Sequence, residues 1–272
     1  MKTTLEAPAL QNNIRDGVRK HYAKVADISG CGCSTTCCTP GGPQRDAREI
    51  SQTLGYSVEQ TGSVPDGANL GLGCGNPLAI AAIRPGQTVL DLGSGAGFDT
   101  FLAARAVGPQ GRAIGVDMTS AMLTKARENA VKVGLDNAEF RLGEIENLPV
   151  SNSSIDVILS NCVINLSPDK ERVFTEAFRV LKPGGRLAIS DVIALEPVPE
   201  TMKSDMSLYA GCASGAAEVN ELVDMLEQAG FSEIRITPKP ESREFIREWF
   251  PGKGLEDRFA SATIEAVKPI RE

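Results

Sequence analysis

Three cysteines stand alone along the chain: Cys74 in Gly71-Leu-Gly-Cys-Gly-Asn-Pro77, Cys162 in Ser160-Asn-Cys-Val-Ile-Asn165, and Cys212 in Tyr209-Ala-Gly-Cys-Ala-Ser-Gly215. Four more, Cys31, Cys33, Cys37 and Cys38, crowd into one loop that carries Gly and Pro. A free Cys is often only a small buried hydrophobe. Three thiols brought to one place would instead bind a soft, thiophilic ion. The count of seven Cys is odd and no secretion signal precedes it, which argues against a disulfide framework. The single histidine, His21, sits far in sequence from these segments, next to Tyr22 on a predicted helix, and reads as a packing residue. Chemistry that needs an imidazole base is therefore disfavoured.

The elements that must position these residues follow from periodicity. Ile14, Val18, Tyr22 and Val25 recur at helical spacing and predict a helix over 13–26. From Pro85 onward, predicted strands (88–92, 113–116, 138–142, 155–160, 186–192) alternate with predicted helices (98–107, 120–133, 168–181). That alternation predicts a mainly parallel sheet with helices on both faces. Ser120 is the expected N-cap of its helix, and Lys182-Pro-Gly-Gly185 the turn that ends the next one. The tail reads as a helix over 219–230 and strands over 232–237 and 260–267. A length of 272 residues suggests about two domains. We divide it into a thiol-bearing arm (1–66), a cofactor-binding core (67–195) and a substrate-side cap of mixed α and β structure (196–272). The net charge of −7 repels phosphate backbones, so nucleic acid is not an expected partner. The uncharged run 67–83 holds Gly, Asn and Pro and is no membrane span. Without an apolar leader, the cytoplasm is the expected compartment.

The strongest motif is Val89-Leu-Asp91-Leu-Gly93-Ser-Gly95-Ala-Gly97-Phe-Asp99, between a strand and a helix. Its glycines permit a tight turn and close backbone approach to a ligand. Asp117 ends the next strand, 20 residues after Gly97, where a carboxylate can accept from ribose hydroxyls. The spacing is GxGxG rather than the GxGxxG of dinucleotide sites, and Asp91 beside the turn would repel a pyrophosphate. A cationic ligand suits it better, and S-adenosylmethionine carries a sulfonium and an ammonium. Asp99, at the start of the following helix, reads as a dipole partner. Met118 and Asn161 are further candidates for the cofactor wall. A generic βα turn of a nicotinamide-binding oxidoreductase is the plain alternative.

Residues 85–192 resemble the Rossmann-like class I S-adenosylmethionine-dependent methyltransferases. Asp91, Gly93, Gly95 and Gly97 match the first motif of that family and Asp117 its ribose-binding acid. Gly143-Glu144-Ile145 resembles the segment against adenine, and Leu181-Lys-Pro-Gly-Gly185 the turn before the fifth strand.

Cys162 falls just past the fourth predicted strand, at the edge where open α/β sheets bind ligands. Loops carrying Cys74 and Cys212 can converge there. Three thiolates suit trigonal-pyramidal As(III), whose remaining lone pair can attack a sulfonium methyl. No proton is removed in that step, so no general base is required. Positioning and desolvation would supply the catalysis.

Over most of its length the chain resembles the arsenite S-adenosylmethionine methyltransferases. The resemblance is carried by Ala68-Asn-Leu-Gly-Leu-Gly-Cys74-Gly-Asn-Pro77, Ser160-Asn-Cys162-Val-Ile-Asn165 and Gly211-Cys212-Ala-Ser-Gly215. It implies that Cys162 and Cys212 hold arsenic throughout and that Cys74 joins them for the first methylation. It also implies a disulfide between an N-terminal cysteine and Cys74, reduced by thioredoxin or glutathione. Cys38 or Cys37 is our choice for that partner, with Cys31 and Cys33 left open. Arsenic would enter as a thiol conjugate and leave methylated, a detoxification, with no stable metal cofactor. A zinc site in the N-terminal cluster and a mobile arm that hands arsenic inward are competing readings of those four cysteines. Rival functions are methylation of a small carbon acid, which leaves the three lone cysteines unexplained, and thiol-based sequestration of a metalloid without turnover. Trp249, Phe245 and Phe250 read as tail packing, and 241–248 as a solvated helix face.

Overall fold

The computed structural model describes residues 6–27, 46–203, 205–249, 252 and 254–270. Short runs of Val, Ile and Leu bounded by Gly, Pro and Asn form its strands. These are β1 (Thr88–Leu92), β2 (Arg112–Asp117), β3 (Ala138–Leu142), β4 (Ile155–Asn161), β5 (Leu181–Ala194), β6 (Ser232–Lys239) and β7 (Phe259–Val267). Among the described residues they make one seven-stranded sheet in the order β3-β2-β1-β4-β5-β7-β6. β1 to β5 are parallel, and β7 inserts antiparallel between β5 and β6. The order reverses between β1 and β4, which opens a crevice at the carboxyl ends of those two strands.

The helices are α1 (Glu6–Asp27), α2 (Ala47–Thr53), α3 (Val58–Gly62), α4 (Leu78–Ala81), α5 (Phe98–Val107) and α6 (Ser120–Val133). They continue with α7 (Lys170–Val180), α8 (Glu200–Lys203), α9 (Met206–Ala210), α10 (Val219–Ala229) and α11 (Arg243–Trp249). Side-chain alternation along the central strands divides the core in two. Leu90, Leu92 and Ile158 pack with Val173, Phe174 and Ala177 of α7 and with Leu222 and Leu226 of α10. Val89, Val157 and Leu159 pack with Ala103, Ala104 and Val107 of α5 and with Ala81 of α4. The parallel sheet with helices on both faces is thus the one the sequence predicts.

Boundaries differ for local reasons. The N-cap of α6 is Thr119 rather than Ser120, and its side chain makes no capping bond. Just ahead of the helix the Asp117 carboxylate accepts the Thr119 N–H at 2.8 Å, which fixes the turn from β2 into α6. α7 starts at Lys170 because the Asp169 carboxylate accepts the Arg172 N–H at 3.0 Å. The Lys182-Pro-Gly-Gly185 segment is not a free turn. It belongs to β5, where a register shift between Ile155 and Val157 absorbs the extra residues. α1 extends back to Glu6 through Ala9, Leu10 and Gln11, all good helix formers. The tail supplies β6 and β7 to the common sheet, and α9 leads into Cys212.

α1 packs on α6 and α9. Its Arg19 Nη2 donates to Glu144 Oε1 at 3.0 Å. His21 lies edge-on to Tyr22 at 5.2 Å, and Phe245 tilts against Trp249 at the same separation. Phe250 lies outside the described residues. No helix among the described residues is long and apolar enough to cross a membrane.

Candidate active site

The turn after β1 takes a path that side chains would block. Gly93 has a φ of +68°, and a Cβ there would collide with Val163. Gly97, at φ +99°, is the N-cap of α5, and its Cβ would stand 2.6 Å from the Phe101 ring. Between them the Gly95 N–H donates to Asp117 Oδ2 at 2.9 Å, which ties the turn to the end of β2. These strand ends border a cleft partly open to solvent.

Asp91, Asp99, Asp117 and Glu146 face the cleft. Arg15 of α1 is also on its wall, but its Nε already donates to Glu146 Oε1 at 3.1 Å. Burial pushes the Asp117 carboxyl up from its ordinary value and the Asp99 carboxyl up to about 6. Burial, reinforced by the neighbouring Asp99 charge, pushes Asp91 well up. Hydrogen bonds partly offset the cost: Thr100 Oγ1 donates to Asp91 at 2.6 Å and Tyr56 Oη to Asp99 at 2.6 Å. Among the described residues the cleft wall has no cation besides the paired Arg15, and desolvated carboxylates so placed favour a positively charged guest. The cleft fits a sulfonium-ammonium cofactor: acids at β1 and β2, glycines where a side chain would intrude, and Ile145 as an apolar wall.

Beside this cleft the structure brings the three lone cysteines together. All are free and almost fully buried. Cys162 follows β4, and its thiol lies within reach of both the Cys74 and Cys212 thiols. Cys212 Sγ donates to the Cys162 carbonyl at 3.0 Å. Cys74 Sγ donates to the Ser190 carbonyl at 3.5 Å, and the Cys74 carbonyl accepts from Ser261 Oγ at 2.7 Å. Cys162 and Cys212 both hold left-handed backbone, φ +58° and +64°. Such conformations cost a non-Gly residue of order 1 kcal/mol or more and collect at functional sites. Burial pushes the Cys74 thiol up, and pushes Cys162 well up with its two sulfur neighbours adding to the effect. The site is therefore built to hold neutral thiols, or thiolates neutralised by a bound cation.

Of the residues picked from sequence, Asp91, Gly93, Gly95, Asp117, Met118, Ile145, Asn161 and Cys162 line the cleft. Gly97 supports the turn at the α5 cap, and Cys74 and Cys212 sit behind Cys162 in one apolar cluster. Glu144 does not line the cleft; its carboxylate turns to Arg19. Asp99 is more than a dipole partner, since it carries the Tyr56 bond. Cys31, Cys33, Cys37 and Cys38 lie outside the described residues.

The sequence reading missed Asp191, Tyr56, Glu146 and Arg15. Asp191 is buried on β5, with a carboxylate oxygen and the Cys74 and Cys162 sulfurs all within 4.8 Å of one another. Burial lifts its carboxyl to about 6 although the N–H groups of Ile164 and Val192 and Asn165 Nδ2 donate to it. A lone acid in the apolar run Ile189-Ser-Asp191-Val-Ile-Ala194 was the available signal.

Comparison with known proteins agrees with this arrangement. Residues 83–230 match a methyltransferase domain family. The chain is 50% identical to an arsenite methyltransferase of Halobacterium salinarum, over 99% of its own length and 70% of the relative's. It is 34% identical to the human arsenite methyltransferase over 82% of this chain, which spans 59% of that relative. Among solved structures, an arsenic (III) S-adenosylmethionine methyltransferase from Chlamydomonas reinhardtii superposes with a TM-score of 0.60 at 35% identity, covering 84% of this chain and 75% of that one. The sheet order, the acid-lined cleft and the full-length likeness lead to one assignment: the chain belongs to the arsenite methyltransferases, within the S-adenosylmethionine-dependent methyltransferase fold.

Proposed function

We propose that this chain transfers a methyl group from S-adenosylmethionine to trivalent arsenic held by Cys74, Cys162 and Cys212. The observation that carries the reading is the convergence of three free buried thiols, two of them on left-handed backbone, beside a cleft lined with acids. Three thiols and As(OH)₃ give a tris-thiolate complex and three waters. That complex has no net charge, so a buried apolar site holds it without the penalty a charged complex would incur. A divalent metal on the same thiolates would leave a net negative charge beside Asp191. The hardness of oxygen and the softness of sulfur favour arsenic over hard cations as well.

When bound, the cofactor supplies an electrophilic methyl. Asp117 at the end of β2 would accept from its ribose, the Gly93–Gly95 backbone would border it, and Met118 and Ile145 would flank its base. Asp91 and Asp99 counter its positive charge. The thiols keep the arsenic lone pair free and exclude water from it. Methyl transfer to As(III) oxidises the arsenic by two electrons. A dithiol that closes to a disulfide balances this and restores As(III). In our reading one such thiol comes from the N-terminal arm, with thioredoxin or glutathione as terminal reductant. The cytoplasm, a reducing compartment, suits thiols that must stay free. The three-part division into arm (1–66), core (67–195) and cap (196–272) belongs to the same proposal.

Incubating the purified chain with labelled cofactor and a thiol reductant tests this directly. Arsenite and methylarsenite should both gain label, and Cys74→Ser should lose at least about tenfold of the arsenite rate while keeping methylarsenite turnover. Equal loss on both substrates would contradict the assigned division among the thiols.

A pH dependence follows from Asp99. Its carboxyl titrates near 6, and only the ionised form attracts a cation. Cofactor affinity should therefore weaken as pH falls through 6, by about tenfold between pH 7 and pH 5. Calorimetric titration with S-adenosylmethionine reads this, and Asp99→Asn should remove the Asp99 share of the profile, leaving the share of Asp91, whose carboxyl is also pushed up.

A further inference from the structure

Asn161, the last residue of β4, stands between the cofactor cleft and Cys74. Its carboxamide is fully engaged. The Oδ1 accepts the Cys74 N–H at 3.0 Å. The Nδ2 donates to the Gly75 carbonyl at 2.9 Å and to Tyr56 Oη at 3.0 Å, with Asp99 Oδ2 a weaker third partner at 3.3 Å. An amide nitrogen has two hydrogens, so the two nearer acceptors use them up. The amide cannot be turned over, because Nδ2 would then oppose the Cys74 N–H. Two of the bonds grip the backbone on either side of the Cys74 side chain. Tyr56 Oη, which accepts from the amide, donates its own hydrogen bond to Asp99 Oδ1 in the cleft wall at 2.6 Å.

The segment is shaped to be gripped this way. A Cβ on Gly73 would stand 2.7 Å from Asn161 Nδ2 and 2.9 Å from Oδ1, so the backbone can seat on the amide only without a side chain there. A Cβ on Gly75 would stand 2.9 Å from Ser190 Oγ on the other side. Ser261 Oγ holds the Cys74 carbonyl at 2.7 Å, and the Cys74 Sγ lies 3.5 Å from the Ser190 carbonyl and 3.9 Å from Asn161 Oδ1.

We propose that Asn161 is a positioning residue for Cys74: it fixes that thiol relative to the cleft, and so acts on the step that needs Cys74 rather than chiefly on cofactor binding. This rests on the arsenic reading above and refines it. Cys162, the neighbour in sequence, takes its own position from β5 through the bond from its N–H to the Ser190 carbonyl at 2.8 Å, and does not depend on the amide.

Asn161→Ala and, separately, Gly73→Ala test it on the full chain with three readouts: initial rates on arsenite and methylarsenite, calorimetric affinity for S-adenosylhomocysteine, and mass-spectrometric alkylation rates of Cys74 and Cys162 by N-ethylmaleimide. We expect arsenite turnover to fall about thirtyfold, about tenfold further than either methylarsenite turnover or cofactor affinity, and Cys74 alkylation to quicken about tenfold with Cys162 unchanged. Gly73→Ala keeps the carboxamide in the chain but pushes it off its seat on the Cys74 backbone, so it serves if Asn161→Ala does not fold. A uniform loss on both substrates with cofactor affinity weakened by about tenfold or more would make Asn161 a cofactor contact and overturn the proposal, as would unchanged Cys74 alkylation in both variants. Failure of the wild-type chain to methylate arsenite would strike the function reading instead, while the alkylation rates would still decide for or against Asn161.

Discussion

Exchanging Cys162 for Ser stops methyl transfer to arsenite and to methylarsenite alike, by about a thousandfold or more in kcat/KM, or ~4 kcal/mol of transition-state stabilisation. Cys162 is the thiol within reach of both others, so its loss leaves no compact three-sulfur set. Serine oxygen is hard and a poor ligand for arsenic, and its hydroxyl stays protonated where the thiol would ionise on binding. The substitution is nearly isosteric and keeps the left-handed backbone, so the melting temperature should move by only a few degrees. Radiolabel transfer, with circular dichroism as the folding control, measures both. Retained arsenic methylation would remove Cys162 from the ligand set, whereas a carbon-acid methyltransferase would label neither arsenical in wild type or variant.

Gly215→Ala should cost the most stability. A Cβ on Gly215 would fall on the Asn165 carbonyl, a backbone oxygen with no rotamer to escape into. Overpacking against backbone costs about 3 kcal/mol, which for a chain of this size lowers Tm by about 6–12 °C. The position is tied to function because the Cys212–Gly215 turn docks on the 164–166 segment, whose Ile164 N–H and Asn165 side chain also hold Asp191. Differential scanning calorimetry with and without arsenite checks it. A Tm within 2 °C of wild type would show that the turn relaxes easily.

Much of this architecture was readable in advance, because its signals are local. Strands such as Thr88–Leu92 are short apolar runs between breakers, and three glycines two apart leave few alternatives to a ligand-binding turn. The lone cysteines could be placed at the carboxyl edge because strand ends could be placed. What escaped depends on distance through space. Tyr56 lies 43 residues from Asp99 in sequence, and nothing near it hints at their bond. Glu144 follows a strand where the family pattern suggests a cofactor contact, but α1 brings Arg19 across 125 residues to claim it. The cap of α6 was misplaced by one residue: Ser120 has a good capping side chain, but the turn that Asp117 fixes through the Thr119 N–H starts the helix at Ser120 itself.

The insertion of β7 between β5 and β6 has a consequence for biosynthesis. Ser261, which closes the wall behind Cys74, is contributed by a strand that emerges from the ribosome 187 residues after it. Until β7 pairs with β5, the bond that closes the wall behind Cys74 cannot form, so enclosure of that thiol waits on the longest-range strand pairing of the sheet.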